Sequence, residues 1–120
     1  MTTDSQRTLS AYLDAVAVWN LDDTAAANLI GAPSETAHEW QDGQSAEPSE
    51  EVLARMMMVA QIRTALDICY STPLSNEWIS LPNGGEPYRG LSPVAYVVQH
   101  GWPGLYWVLR QVQAWAVGNH

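Results

Sequence analysis

Leu9, Tyr12, Leu13, Val16 and Trp19 recur at intervals of three and four residues, and no stretch of the chain alternates apolar with polar residues as a half-buried strand would. That spacing predicts a helix from Ser10 to Trp19 with one inward stripe. Asp22 or Asp23 is placed to cap a second helix through Ile30, packed on Ala26, Leu29 and Ile30. Gly31-Ala32-Pro33 reads as a turn, with Ser34 capping a short third helix, Glu35 to Gln41, that Asp42-Gly43 ends. Gln44 to Pro48 is a polar loop. Ser49 caps a long fourth helix, with Glu50 and Glu51 set against its dipole and a stripe of Val52, Leu53, Met56, Val59, Ala60, Arg63, Leu66 and Tyr70. After Ser71-Thr72-Pro73, Ser75 caps a brief helix to Leu81, and Pro82 to Gly90 is turn and loop. Ser92-Pro93 opens a helix ending at Gly101, and a last one runs from about Pro103 to Val117. The expected fold class is all-α: a helix-turn-helix bundle over residues 1–72, then a small helical module over residues 73–120.

Charge narrows the partners. Thirteen acids oppose five arginines and no lysine, for a formal net charge of -8. Such a balance repels nucleic acid and anionic lipid and suits a basic protein surface. With 47% hydrophobic residues in 120, the chain has enough apolar side chain for a core. Cys69 is the only cysteine, so no internal disulfide is expected, and its helical setting reads as a small buried hydrophobe. The opening Met-Thr-Thr-Asp-Ser-Gln-Arg has no signal-peptide character and no apolar run reaches membrane-spanning length, so a cytoplasmic protein is expected.

The predicted third helix turns Ala37 and Trp40 inward and Ser34, Glu35, Thr36, His38, Glu39 and Gln41 outward. Ser34, Thr36, His38 and Gln41, with Arg55 as the nearby cation, are the candidate DNA-contacting residues, since their side chains suit base edges and phosphates. The outward glutamates oppose that use, and a purely structural scaffold is the other reading. In the last helix Leu105, Leu109, Val112 and Ala116 make a core stripe, whereas Trp107, Arg110, Ala114 and Val117 lie on another side. Two apolar faces on one helix point to self-association or a partner. Trp107 and Arg110 are the expected anchors, and Trp102 and Trp115 are expected to fill the core. His38, His100 and His120 fall on separate elements without metal-ligand spacing, and the acidic pairs are explained as helix caps. No metal, cofactor or catalytic constellation is expected, and enzymatic chemistry with His38 or His100 as base ranks last.

These residues resemble a known family. Trp19-Asn-Leu-Asp-Asp, Ala25-Ala-Ala-Asn-Leu-Ile-Gly-Ala, Glu35-Thr-Ala-His-Glu-Trp-Gln-Asp-Gly and Arg55 look like the Xre-like half of Xre/MbcA/ParS antitoxins. Trp78, Leu81-Pro82-Asn83, Gly90-Leu-Ser-Pro93 and Gly101 are similar to that family's toxin-binding region. The resemblance implies an antitoxin of a type II pair, whose cognate toxin has a RES domain and consumes NAD or uses it for ADP-ribosylation. It implies a homodimer within a larger complex, with the C-terminal tail closing the toxin's NAD pocket. By position the toxin-binding residues would be Trp78, Pro82, Asn83, Tyr88, Arg89, Trp107, Arg110, Gly118, Asn119 and His120. An acidic plug would suit an arginine-lined dinucleotide pocket. The chain departs from the family at Glu39, where a basic residue is usual before the Trp, and in the loop from Asn83 to Arg89. The alternative is a DNA-binding transcription regulator whose second half only dimerises; a small-ligand sensor is a third reading.

Overall fold

The computed structural model describes residues 2–43 and 47–118, and every regular element among them is helical. In chain order these are α1 (Thr3–Val18), α2 (Asp23–Ile30), α3 (Ser34–Gln41), α4 (Glu50–Cys69), α5 (Leu74–Glu77) with a 3-10 turn (Trp78–Ser80), α6 (Pro93–His100) and α7 (Trp102–Gly118). The all-α expectation therefore holds.

Local chemistry starts most of these helices. Asp22 accepts from the Ala25 amide at 2.8 Å, Ser49 from Val52 at 3.2 Å and Ser92 from Ala95 at 3.1 Å, each satisfying a donor that the first helical turn leaves over. Three starts differ from expectation. Helix α1 begins at Thr3, because Thr2 caps it through Ser5 and its first turns carry no apolar stripe to betray them. Ser34 is the first residue of α3 and makes no cap; Pro33 stands at the N-cap without a side-chain bond. Ser75 likewise lies inside α5, buried, with Pro73 ahead of it.

One continuous core joins the predicted halves. Tyr12, Val16, Trp19, Leu29, Ile30 and Trp40 from the first three helices meet Met56, Val59, Ile62 and Leu66 of α4 and Leu105, Val108, Leu109 and Val112 of α7. Helix α4 is central: its most extensive contacts are with α7 on one side and α1 on the other. Its inward line runs through Ile62 and Ala65, leaving Arg63, which the sequence placed in the stripe, half-buried beside Asp67 at 3.9 Å. Over twenty residues the stripe drifts round the helix, as 3.6 residues per turn requires.

Two polar ties fix α2. The Tyr12 hydroxyl donates to the Ala26 carbonyl at 2.6 Å in the core, and burial pushes that phenol's pKa well up. Arg55 crosses from α4, donating to the Ile30 carbonyl at 3.3 Å and pairing with Glu51 at 2.6 Å. It reaches the end of α2 over Gly31, which sits at φ +69°, and a Cβ there would lie 2.1 Å from the guanidinium. Glycine is required twice over, for the left-handed backbone and for the space. Gly31→Ala is expected to destabilise the fold by about 1–2 kcal/mol from backbone strain alone, and by more through the displaced arginine. Urea unfolding of Gly31→Ala, set beside Arg55→Ala, measures the two contributions.

Candidate functional site: the aromatic face of α7

Helix α7 buries Gly104, Leu105, Val108, Leu109, Val112 and Ala116 and turns the rest outward. Gly104 lets α6 lie close, since a Cβ there would come within 2.8 Å of His100 Cβ. The outward ridge carries Trp102, Tyr106, Trp107, Arg110, Ala114 and Val117; Trp102 is 50% exposed, Trp107 41% and Val117 75%. Trp107, Arg110, Ala114 and Val117 thus lie where helical spacing put them. Trp102 does not fill the core as expected. It stands at the first residue of the helix, over the start of α4, where the core is already closed by Leu105 and Leu109.

Beneath the ridge lies a chain of edge-to-face rings. Trp115 meets Trp78 at 5.7 Å, Trp78 meets Tyr88 at 6.0 Å, and Tyr88 meets both Tyr96 at 5.4 Å and Trp107 at 6.3 Å. Each such pair adds roughly 0.5–1.5 kcal/mol beyond burial. The Tyr88 hydroxyl donates to Gln111 Oε1, and burial raises its pKa so that the proton stays in place. A groove of about 330 Å³ opens above these rings between Trp107 and Trp115, with Arg110 and Gln111 on its rim.

The loop that carries Tyr88 is closed by its own backbone. Asn83 N donates to the Leu91 carbonyl at 3.1 Å, Gly90 N to the Asn83 carbonyl at 2.7 Å, and Gly85 N to Asn83 Oδ1 at 2.9 Å. Arg89, held at φ +52°, is exposed and pairs with Glu86 at 3.3 Å.

The toxin-binding candidates consequently divide. Trp107, Arg110, Pro82, Arg89 and Gly118 are exposed, whereas Trp78 and Tyr88 are buried and form the floor of the site, not its contact surface. Asn83 spends its side chain inside the loop. Asn119 and His120 lie outside the described residues. Two features went unread in the sequence. Tyr106, four residues from both Trp102 and Arg110, extends the ridge, and its spacing alone would have found it. All thirteen carboxylates occur at or before Glu86, so residues 87–120 carry Arg89 and Arg110 and no acid. The expected acidic plug is corrected accordingly: the C-terminal region is aromatic and weakly basic.

The DNA-contact candidates are drawn into the protein's own structure. Arg55 is largely buried in its tie to α2 and Glu51, Ser34 and Thr36 are half-buried, and only His38 and Gln41 stand out from α3. His38 bridges two carboxylates, Asp23 on α2 at 3.0 Å and Asp42 at 3.2 Å. The hydrogen bond to Asp23, then the charge of Asp42, raises its pKa above the ordinary 6.5. His100 rests on the Tyr96 ring at 4.3 Å. Among the described residues no three His, Cys, Asp or Glu side chains converge as a metal site, and no helix is long and apolar enough to cross a membrane.

Comparison with protein-family models, with curated proteins and with solved structures gives no match for this chain.

Two outcomes follow from this geometry. Trp78→Ala should cost about 3–5 kcal/mol of unfolding free energy, as for other buried aromatic truncations, and Tyr88→Phe about 1 kcal/mol for the lost hydroxyl bond, both read by urea denaturation. For His38, a raised folded pKa means a stabilising contribution complete below the ordinary imidazole value and lost as pH rises through the raised one. An NMR titration should place the His38 midpoint above 6.5, returning towards it in Asp23→Asn.

Proposed function

We propose that this chain is a binding protein without catalysis of its own, an antitoxin that covers a RES-domain toxin with the α7 ridge and the adjoining loop. The observation that carries the reading is the ridge itself: two tryptophans, a tyrosine and an arginine exposed along one helix of a chain whose other surfaces are strongly acidic. Trp, Tyr and Arg dominate binding hot spots because each covers a large area at small entropic cost. A monomer has no folding use for them outside its core.

The floor of buried rings supports the same reading. Tyr88 and Trp78 hold Trp107 and Trp115 from below, so the contact residues are pre-organised and lose little freedom on association. The correspondence of Leu81-Pro82-Asn83 and Gly90-Leu-Ser-Pro93 with the toxin-binding region of Xre/MbcA/ParS antitoxins supplies the class of partner. Neutralisation here is occlusion: the aromatic ridge anchors the complex, and residues 118–120 lie at the end nearest the toxin's NAD entrance. Since that segment and α7 carry no carboxylate, the closure works by bulk and apolar cover, not by mimicking the dinucleotide's charge.

Operator binding by the isolated chain has little support. Helix α3 holds no arginine, Glu35 and Glu39 face outward, and Arg55 is committed elsewhere. Phosphate neutralisation, which supplies most non-specific DNA affinity, has no donor there.

Co-expression with the toxin tests the proposal. Trp107→Ala is expected to weaken the complex by about 2 kcal/mol or more, as for an interface hot spot, while leaving the circular dichroism of the free chain unchanged. A chain lacking residues 118–120 should still bind but protect cells less. Full protection by Trp107→Ala at equal expression would overturn the assignment.

A further inference from the structure

Helix α7 has a second flank. Where it lies beside the C-terminal half of α4, the two helices run in the same direction and leave a groove of about 730 Å³. We infer that this groove seats a second copy of the chain, related by a two-fold axis passing between Thr64 and Ala114. The inference does not depend on the toxin reading, because the groove faces away from the ring-floored site across the Arg110–Ala114 ridge.

Charge selects the occupant. A chain of net charge -8 repels its own copies over most of its surface, and the groove is lined without a carboxylate. Its apolar rims are Ile68, 50% exposed, and Val117, 75% exposed, while Ala65, Ala114 and Ala116 keep its floor low enough for another helix to enter. Its polar groups are Gln61, Thr64 and Gln113. Amides and hydroxyls both donate and accept, so the same groups can satisfy one another across a two-fold axis.

The register is self-consistent. With the axis at Thr64, Gln61 of one copy faces Asp67 of the other, an amide donor opposite the one carboxylate near the groove. With the axis at Ala114, Arg110 faces Gly118 of the other copy, at the carboxyl end of a helix whose last turn has no basic residue. A cation there is favourable to the helix dipole and to the carbonyls left over at that end. Two acidic molecules meeting through an uncharged groove also fix the salt response: added salt screens the remaining repulsion and tightens the pair.

Sedimentation velocity on the purified full chain, across the micromolar range and at low and high salt, tests this. A concentration-dependent dimer that strengthens with salt is expected. Ile68→Asp, an exposed position on α4 outside the toxin-facing site, should raise the dissociation constant about tenfold or more, equivalent to about 1.4 kcal/mol, and Trp107→Ala should leave it unchanged. Thr64→Cys should form a disulfide-linked dimer under mild oxidation, whereas Asp4→Cys should not. A monomer at every concentration and salt, a dimer indifferent to Ile68→Asp, or equal cross-linking of the two cysteine variants would each overturn the proposal. Loss of toxin binding in Trp107→Ala with the dimer intact, or the reverse in Ile68→Asp, tells failure of one reading from failure of the other.

Discussion

Everything in this structure depends on the packing of α7 along α4. The four helices before residue 70 bury one side of α4 and leave its opposite side apolar through Met56, Val59, Ile62 and Leu66, a face that needs cover. Leu105, Val108, Leu109 and Val112 supply the cover from forty residues on. Burial of a side chain of that size is worth roughly 1.5–3 kcal/mol, so the eight together outweigh any single polar tie in the molecule. The division at residue 72 is therefore one of sequence resemblance, while the core runs across it. Once α7 is fixed on one side, its remaining circumference must face water or another protein, and the ridge and both flanking grooves follow from that.

What could be read in advance was what depends on near neighbours in the chain. Asp22, Ser49 and Ser92 were legible as caps because each needs only an amide three residues on. Gly31 was legible as a turn; its second duty, room for Arg55, was not, because the arginine arrives from another helix. Thr2 was missed because polar first turns have no period to detect, and Ser34 and Ser75 were misplaced because a serine before a helical run is a cap only if the backbone leaves the helix there. In α4 a strict count of three and four chose Arg63 over Ile62, although the packed face had rotated away from it.

The site divides along the same line. Exposure of Trp107, Arg110, Ala114 and Val117 follows from spacing within one helix, and spacing gave it. Burial of Trp78 and Tyr88 depends on the loop folding back beneath α7, which no local pattern reports. Motif position marked these two as contacts; ring packing makes them supports. The distribution of acids was in plain view, yet a whole-chain charge of -8 hid a C-terminal third without a single carboxylate. For a protein that meets others through that third, the local figure governs recognition and the total governs solubility.

The closed loop from Asn83 to Leu91 has a consequence for how such a protein changes over time. Its two ends are joined by main-chain bonds and its one buried ring, Tyr88, anchors the middle, so the structure asks for few side chains at Gly84, Glu86 and Arg89. Those positions are free to vary without disturbing the helices on either side. A surface that can be rewritten while its frame stays put is a place where a lineage can retune which partner it accepts and which it ignores.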